Sequence, residues 1–129
     1  MKKLKRLTTE QSFEYYLSSL NMLGMHTTNL SDEELEYKIF EEWAIDYPAA
    51  LSQYTREVLI DNDIIDRDLS LLSKQLQTKL FELDGGVLWN AKALKTTPEW
   101  KEVLRLSDEI KELIHQKWTD EELAYLLGK

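Results

Sequence analysis

Carboxylates within residues 30–68 are the side chains of this sequence whose type and spacing could do chemistry. Two pairs are spaced i,i+3 at predicted helix starts, Glu33 with Glu36 and Asp63 with Asp66. Carboxylate oxygens on facing helices can hold Mg²⁺ or Mn²⁺ for nucleotide hydrolysis. Such a site also needs basic residues for the phosphates, and this segment has only Lys38, Arg56 and Arg67. A metal-dependent, all-α nucleotide hydrolase is therefore kept as an alternative, while we expect a non-catalytic protein without a catalytic residue, metal site or cofactor.

Composition and motifs exclude most other kinds of site. The sequence contains no cysteine, which excludes thiolate zinc sites, iron–sulfur ligation and a cysteine nucleophile. The two histidines are His26, in a predicted loop, and His115, on a predicted polar helix face. The stretch from Asp61 resembles a calcium loop, but it has Asp66 where glycine is needed and Leu72 where the bidentate glutamate is needed. Phosphate-binding glycine loops and a nucleophile-elbow motif are absent from the sequence as well.

The negative charge is concentrated in one part of the chain. Acidic side chains number 24 and basic ones 16, a formal net charge of −8. Residues 30–68 contain 12 acidic and three basic side chains, a net charge of −9, whereas residues 69–129 carry only −1. Residues 1–6 carry four basic side chains, and we expect residues 1–7 to form a flexible basic tail. Any functional surface based on charge is therefore expected within residues 30–68.

Helical spacing divides this acidic segment into two groups. At about 100° per residue, Leu35, Ile39 and Trp43 fall on one side of the second predicted helix. Three glutamates fall on the opposite side of that helix and form the first group. The second group consists of aspartates in a predicted turn further along the segment, from residue 61. If the two groups are adjacent in space, they form one concentrated negative surface. The predicted protein-binding residues are Glu34, Glu41, Glu42, Asp61, Asp63 and Asp66.

A concentrated acidic surface attracts basic partners and repels nucleic-acid backbones. We therefore expect a protein-binding module with a basic protein partner, of an immunity, antitoxin or antagonist type, and without nucleic-acid or membrane partners. One alternative is a solvated face that only aids solubility. Another is a homo-oligomeric structural module that uses the leucine-rich helix, and the oligomeric state stays open. An aromatic-basic pattern is formed around Trp89 and Trp100 by Lys92, Lys95, Lys101 and Arg105. A pI near 4.8 nevertheless disfavours nucleic-acid binding.

Neither a membrane span nor an export signal is expected. The basic start is followed by polar residues 8–12, where a signal peptide needs an apolar region. Uninterrupted apolar runs are far shorter than the roughly 18 residues that a transmembrane helix requires. The expected location is the cytoplasm.

Few glycines and prolines, four and two, together with helical spacing, predict an all-α single domain over residues 1–129, a bundle of five to seven helices. A capping box at Thr8 starts the first helix, and Gly24 in a left-handed conformation is expected to end it. A second capping box at Ser31 starts the next helix, which runs to about Asp46. Pro48 is expected to end that helix or to open the following one.

The second half of the chain has clearer helix signals. A third helix over about 48–60 should bury Leu51, Tyr54 and Val58, and Asp63 is a plausible N-cap for the fourth. The fourth helix carries the most regular apolar stripe of the sequence, and we expect residues 84–86 to end this helix. The stripe consists of Ile65, Leu69, Leu72, Leu76, Leu80 and Leu83.

Residues 87–95 fit a short buried helix or an extended segment. The sequence Thr97-Pro98-Glu99 predicts the start of a central helix over about 98–117. Its apolar residues, Trp100 among them, cover about 180° of the surface, which is typical of a helix buried on two sides. A capping box at Thr119 predicts a last short helix that ends at Gly128.

Overall fold

The computed structural model describes residues 7–129, so the expected tail of residues 1–7 lies outside the described residues except for Leu7. Every regular element in this range is helical, which confirms an all-α, single-domain fold. Seven helices are described, joined by short turns and one 3₁₀ segment, Met25–Asn29. They are α1 (Thr9–Met22), α2 (32–50), α3 (Gln53–Asp61), α4 (Arg67–Leu83), α5 (Ala91–Thr96), α6 (Pro98–Lys117) and α7 (Asp120–Leu126).

Helix α6 is the centre of the bundle, as its wide apolar arc predicts. It begins at the N-cap Thr97, whose side chain accepts a hydrogen bond from the Trp100 amide, with Pro98 at the first helical position. The Trp100 side chain is fully buried in the core. Helix α4 packs antiparallel against α6, because Lys79 pairs with Glu102 near one end and Trp118 Nε1 donates to the Ile64 carbonyl at the other. At 1.5 Å per residue, the 20 residues of α6 span about 30 Å.

The leucine stripe of α4 lies in the core of this chain. Leu69, Leu76 and Leu80 are buried, and Leu72 and Leu83 pack against the same cluster. The N-cap of α4 is Asp66, whose carboxylate accepts from the Leu69 amide, and not Asp63 as expected. Asp63 instead adopts a left-handed conformation (φ 58°) in the turn before the helix. The helix ends as predicted, with Gly85 at a positive φ of 72°.

Helix α2 continues past Asp46 and through Pro48 to Ala50, so the expectation that Pro48 ends or opens a helix is wrong. Its first part, Asp32–Tyr37, is α-helical, the middle part, Lys38–Trp43, is π-helical, and the last part, Ala44–Ala50, is α-helical again. Proline inside a helix removes one hydrogen bond and crowds the preceding turn. Here it lies five residues after the end of the π-helical part, and its carbonyl accepts from Gln77 Nε2 (2.9 Å).

The π-helical turn has a clear physical reason in the sequence. Leu35, Ile39, Trp43 and Tyr47 are spaced by four residues each, and all four are buried. A regular α-helix would rotate this row by about 40° at each step, or about 120° in all. A π-turn accommodates one additional residue, which turns the following segment back by about 100°. The irregular turn therefore keeps all four side chains on the core side.

Three further expectations are corrected by the structure. Gly24 is extended rather than left-handed (φ 163°), and α1 ends at Met22 with Leu23 as C-cap. In α3, Tyr54 is 56% exposed and Val58 is half-buried, because the helix turns Thr55, Arg56 and Leu59 to the core instead. Val87 is 91% exposed in a turn at the start of the 87–95 segment, whereas the short buried helix expected there is confirmed as α5, in which Ala91 and Leu94 are buried.

Gly24 serves a close approach instead of a helix stop. A Cβ at this position would lie 2.4 Å from Asp108 Oδ1 and 2.8 Å from Lys111 Nζ. These two side chains form an ion pair (3.1 Å) and bind the backbone beside the glycine, since Asp108 accepts from the Met25 amide and Lys111 donates to the Leu23 carbonyl. The glycine thus allows α6 to hold the end of α1.

Reciprocal capping boxes start α1 and α7, as predicted at Thr8 and Thr119. At Ser31 only one half forms, because the serine accepts from the Glu34 amide and its hydroxyl donates to the Glu34 carboxylate (3.3 Å). None of the helices in residues 7–129 combines the length and the apolar character needed to cross a membrane.

Candidate functional site: an exposed face of helix α2

The outer side of α2 combines acidic and large apolar side chains. Tyr37 is 57% exposed and Ile45 is 78% exposed, although both are large and hydrophobic. Exposed glutamates stand beside them on the same helix. We call this surface the α2 face and define it by five residues: Glu34, Tyr37, Glu41, Glu42 and Ile45. The buried row on the opposite side fixes its direction, because a helix with one side in the core must turn the other to solvent.

Most of the negative charge on the α2 face has no counter-ion. Glu34 pairs with Lys38 at 3.6 Å, in the favourable i,i+4 order. Within residues 7–129, Glu41 and Glu42 form no ion pair. Hydrogen bonding to the Glu42 carboxylate and its negative charge raise the pKa of Tyr37 above its ordinary value. Glu42 lies five residues after Tyr37, which is the spacing of the π-turn.

Core contacts hold α2 in a fixed orientation. Trp43 Nε1 donates to the Ser19 carbonyl of α1 at 2.9 Å. The Phe40 ring meets Trp89 and Trp100 edge to face, with ring centroids 5.3 and 5.7 Å apart. The Tyr47 hydroxyl donates to Asp84 at 2.5 Å. The pKa of Tyr47 is raised well above its ordinary value, mainly by burial and also by this hydrogen bond. The α2 face is therefore presented by a helix that contacts of Phe40, Trp43 and Tyr47 with the core hold in place.

The structure does not bring the second acidic group to the α2 face. Asp61, Asp63 and Asp66 surround the turn before α4, where the Ile64 carbonyl accepts from Trp118 at the C-terminal end of α6. Phe40, next to Glu41, instead touches Trp100 near the N-terminal end of α6. Trp100 and Trp118 are 18 residues apart, or about 27 Å along a helix axis. The six acidic residues chosen from the sequence thus form two separate groups, with Glu34, Glu41 and Glu42 alone on the α2 face.

Two of the four carboxylates considered for a metal site have structural roles. Glu36 accepts a hydrogen bond from the Ala91 amide at the start of α5 (2.8 Å), and Asp66 caps α4. In the part of the chain that the structure describes, no three His, Asp or Glu side chains are grouped so as to hold a metal ion. The geometry offers nothing that favours the hydrolase alternative.

The histidines and tryptophans considered above as candidate site residues have surface or core positions and do not form a site. His115 faces Asp120 at 3.7 Å, and His26 is exposed in the 3₁₀ segment. Trp100 is fully buried and donates from Nε1 to the Leu88 carbonyl (2.6 Å), with Trp89 packed against its ring. These tryptophans belong to the core and do not form an exposed stacking surface.

Comparison with known proteins adds no relative. No known family, curated protein or solved structure matches this chain.

Tyr37 and Ile45 were missed by the sequence analysis, although the signal was present. On a helical wheel with Leu35 at zero, Tyr37 falls near 200° and Ile45 near 280°, on either side of Glu41 near 240°. Apolar side chains in the middle of a charged face are the signal that could have identified them. Single exposed apolar residues are common on any protein, so the pattern gains weight only when two of them share a face with unpaired charges.

Proposed function

We propose that this chain is a non-catalytic module that binds a basic protein partner through the α2 face. The observation that supports the proposal is the combination of two large exposed apolar side chains, Tyr37 and Ile45, with carboxylates that have no counter-ion in the described chain. Apolar and aromatic groups supply most of the binding energy at protein interfaces, while charges at the rim speed association and select the partner. A rigid helix loses little conformational entropy on binding.

The sign of the charge favours a basic partner. Glu41 and Glu42 would meet lysines or arginines, with Tyr37 and Ile45 covered by apolar surface between them. Neutralisation of a basic protein, such as a toxin nuclease or a nucleic-acid-binding factor, fits this chemistry, and we therefore retain an immunity, antitoxin or antagonist role in the cytoplasm. The separation of the aspartates from the α2 face narrows the docking surface to one helix. Asp61, Asp63 and Asp66 are then dispensable for binding.

The proposal is tested by charge reversal with a matched control. The test variant is Glu41→Lys with Glu42→Lys, and the control is Glu109→Lys with Glu112→Lys on the exposed side of α6, which changes the net charge equally. The partner is captured from the native host and identified, and its association rate is then measured at about 50 mM and about 500 mM salt. We expect the test variant to lower the association rate about tenfold or more at low salt, with a smaller effect at high salt, and the control to change it little.

The apolar part of the site has its own test. Ile45→Ala should raise the dissociation rate of the same complex at both salt concentrations, because the contact it removes is not screened by ions. Equal effects of the test and control charge reversals would show that only the overall charge matters. Unchanged binding by all three variants would overturn the proposed surface.

A further inference from the structure

Arg56 is a buried charge without a counter-ion. Its side chain in α3 is only 8% exposed. The Nε–H donates to the Leu51 carbonyl at 3.1 Å, and Nη1 donates to the Ser70 hydroxyl at 3.3 Å. Both partners are neutral. No carboxylate in residues 7–129 lies within ion-pair distance of this guanidinium.

This arrangement is unusual on physical grounds. Arginine is almost never fully buried unless it is paired, because removing a charge from water is costly. A guanidinium has five N–H donors, and in Arg56 two of them donate hydrogen bonds to protein atoms. The remaining donors can bind an oxyanion in the two-pronged geometry that arginine prefers.

A cavity of about 390 Å³ adjoins Arg56 between α3 and α4. Two more cationic side chains, Arg67 and Lys74, line it, together with the Ser70 hydroxyl. The one carboxylate in the lining, Glu57, accepts a hydrogen bond from Gln53 at 2.8 Å. The lining therefore has a net charge of +2 in a protein whose overall charge is −8.

A second groove shows that clustered cations alone do not distinguish this cavity. Lys79, Lys101 and Arg105 line a groove of similar size between α4 and α6. There two glutamates share the lining, and one of them, Glu102, pairs with Lys79 at 2.8 Å. That groove has no buried guanidinium in its lining, whereas the cavity at Arg56 is lined by a nearly buried cation that has no carboxylate partner in residues 7–129.

We propose that the cavity between α3 and α4 binds the phosphoryl group of a small ligand, with Arg56 at its base and Arg67 and Lys74 at its rim. A phosphate group carries about −1.5 to −2 charges at neutral pH, which matches the +2 of the lining better than a single carboxylate does. Its oxygens can accept from the open N–H groups of Arg56 and from the rim cations. The acidic α2 face belongs to a different helix, so the cavity and the docking surface are separate sites.

The probe for this site is inorganic phosphate, added to the ¹⁵N-labelled full chain and followed by NMR at constant ionic strength. We expect saturable shifts of the Arg56 Nε–H and of backbone amides in residues 67–74, with acetate binding at least about tenfold more weakly. Glycerol phosphate, as a phosphate monoester, should shift the same signals. Saturation by inorganic phosphate alone would mean that the site holds the free ion, and would overturn the proposal of an esterified ligand.

Variants distinguish a built site from general attraction. Arg67→Gln should weaken phosphate binding about three- to fivefold, whereas Arg105→Gln, the same change in the second groove, should leave it unaltered. Arg56→Lys keeps the charge but loses the forked geometry, and we expect at least a tenfold loss. If Arg56→Lys does not fold, which circular dichroism shows, Lys74→Gln replaces it, with an expected loss similar to that of Arg67→Gln. Failure of phosphate to saturate below about 50 mM, or equal effects of Arg67→Gln and Arg105→Gln, would overturn the proposal.

Discussion

Three buried serines should respond with different signs and sizes to the same substitution by alanine. Ser19, Ser73 and Ser107 all lie in helices and are almost fully buried. The Ser19 hydroxyl has no hydrogen-bond partner, the one such buried side-chain oxygen found in residues 7–129. Leaving a buried hydroxyl unpaired costs about 1–3 kcal/mol, and alanine is also the better helix former by a few tenths. We expect Ser19→Ala to raise the free energy of unfolding by about 1 kcal/mol.

Ser73→Ala should have the opposite effect. The Ser73 hydroxyl donates to the Leu69 carbonyl at 2.8 Å and accepts from the buried Tyr16 hydroxyl at 2.6 Å. Alanine leaves the Tyr16 hydroxyl without a partner in the core, at a cost of about 2 kcal/mol. The higher helix propensity of alanine offsets about 0.5 kcal/mol of this cost, so the net loss of stability is about 1.5 kcal/mol.

Ser107→Ala is the intermediate case. Its hydroxyl lies 2.9 Å from the Leu23 carbonyl and 3.2 Å from that of Leu20. Both carbonyls keep other partners, since Lys111 donates to Leu23 and the Leu23 amide donates to Leu20. Because no buried group is orphaned, we expect a loss of about 0.5 kcal/mol.

Urea unfolding of the wild type and the three variants measures these differences. The slope with urea concentration should stay constant, so that a shift in midpoint reports stability alone. For a chain of this length, 1 kcal/mol corresponds to about 4 °C in the melting temperature. Destabilisation by Ser19→Ala, or equal losses for Ser19→Ala and Ser73→Ala, would refute the assignment of satisfied and unsatisfied hydroxyls.

Two further predictions concern pH and the close approach at Gly24. Burial raises the pKa of Tyr16 from 10.0 to about 12, so unfolded chains lose this proton first, and Tyr16 alone should contribute a loss of stability of about 3 kcal/mol between pH 10 and 12. The Tyr16→Phe variant should lose correspondingly less over this range in urea unfolding, and identical pH profiles would contradict the assignment. Gly24→Ala should lower stability by about 1 kcal/mol, because its Cβ displaces Asp108 from the Met25 amide. In an Asp108→Ala background the same change should cost less, and equal costs would show that no such contact exists.

The starts of α1, α6 and α7 and the core faces of α4 and α6 could be predicted from the sequence because their causes are local. Side chains at Thr8, Thr97 and Thr119 satisfy amides three residues away, and this geometry needs no tertiary contact. The arc of α6 and the stripe of α4 follow from the fixed rotation per residue of an α-helix.

The failures occurred where tertiary contacts override such local rules. Arg56 faces inward because it binds the Leu51 carbonyl and Ser70, which turns Tyr54 outward. Gly24 is needed for contact with α6, and this residue carries no local mark of that contact. The candidate site was only half predictable, since the sequence supplied the glutamates of α2 but not their separation from Asp61 and Asp63.

The sequence by itself determined the all-α class, the starts of α1, α2, α6 and α7, the central helix and the concentration of charge in residues 30–68. Only the tertiary structure decided which charges share a surface and which cation is buried without a counter-ion. The physical reason is that caps and periodicity act within one or two turns of the chain. The distance between two charged groups, by contrast, depends on how separate helices pack, and here the length of α6 keeps them apart.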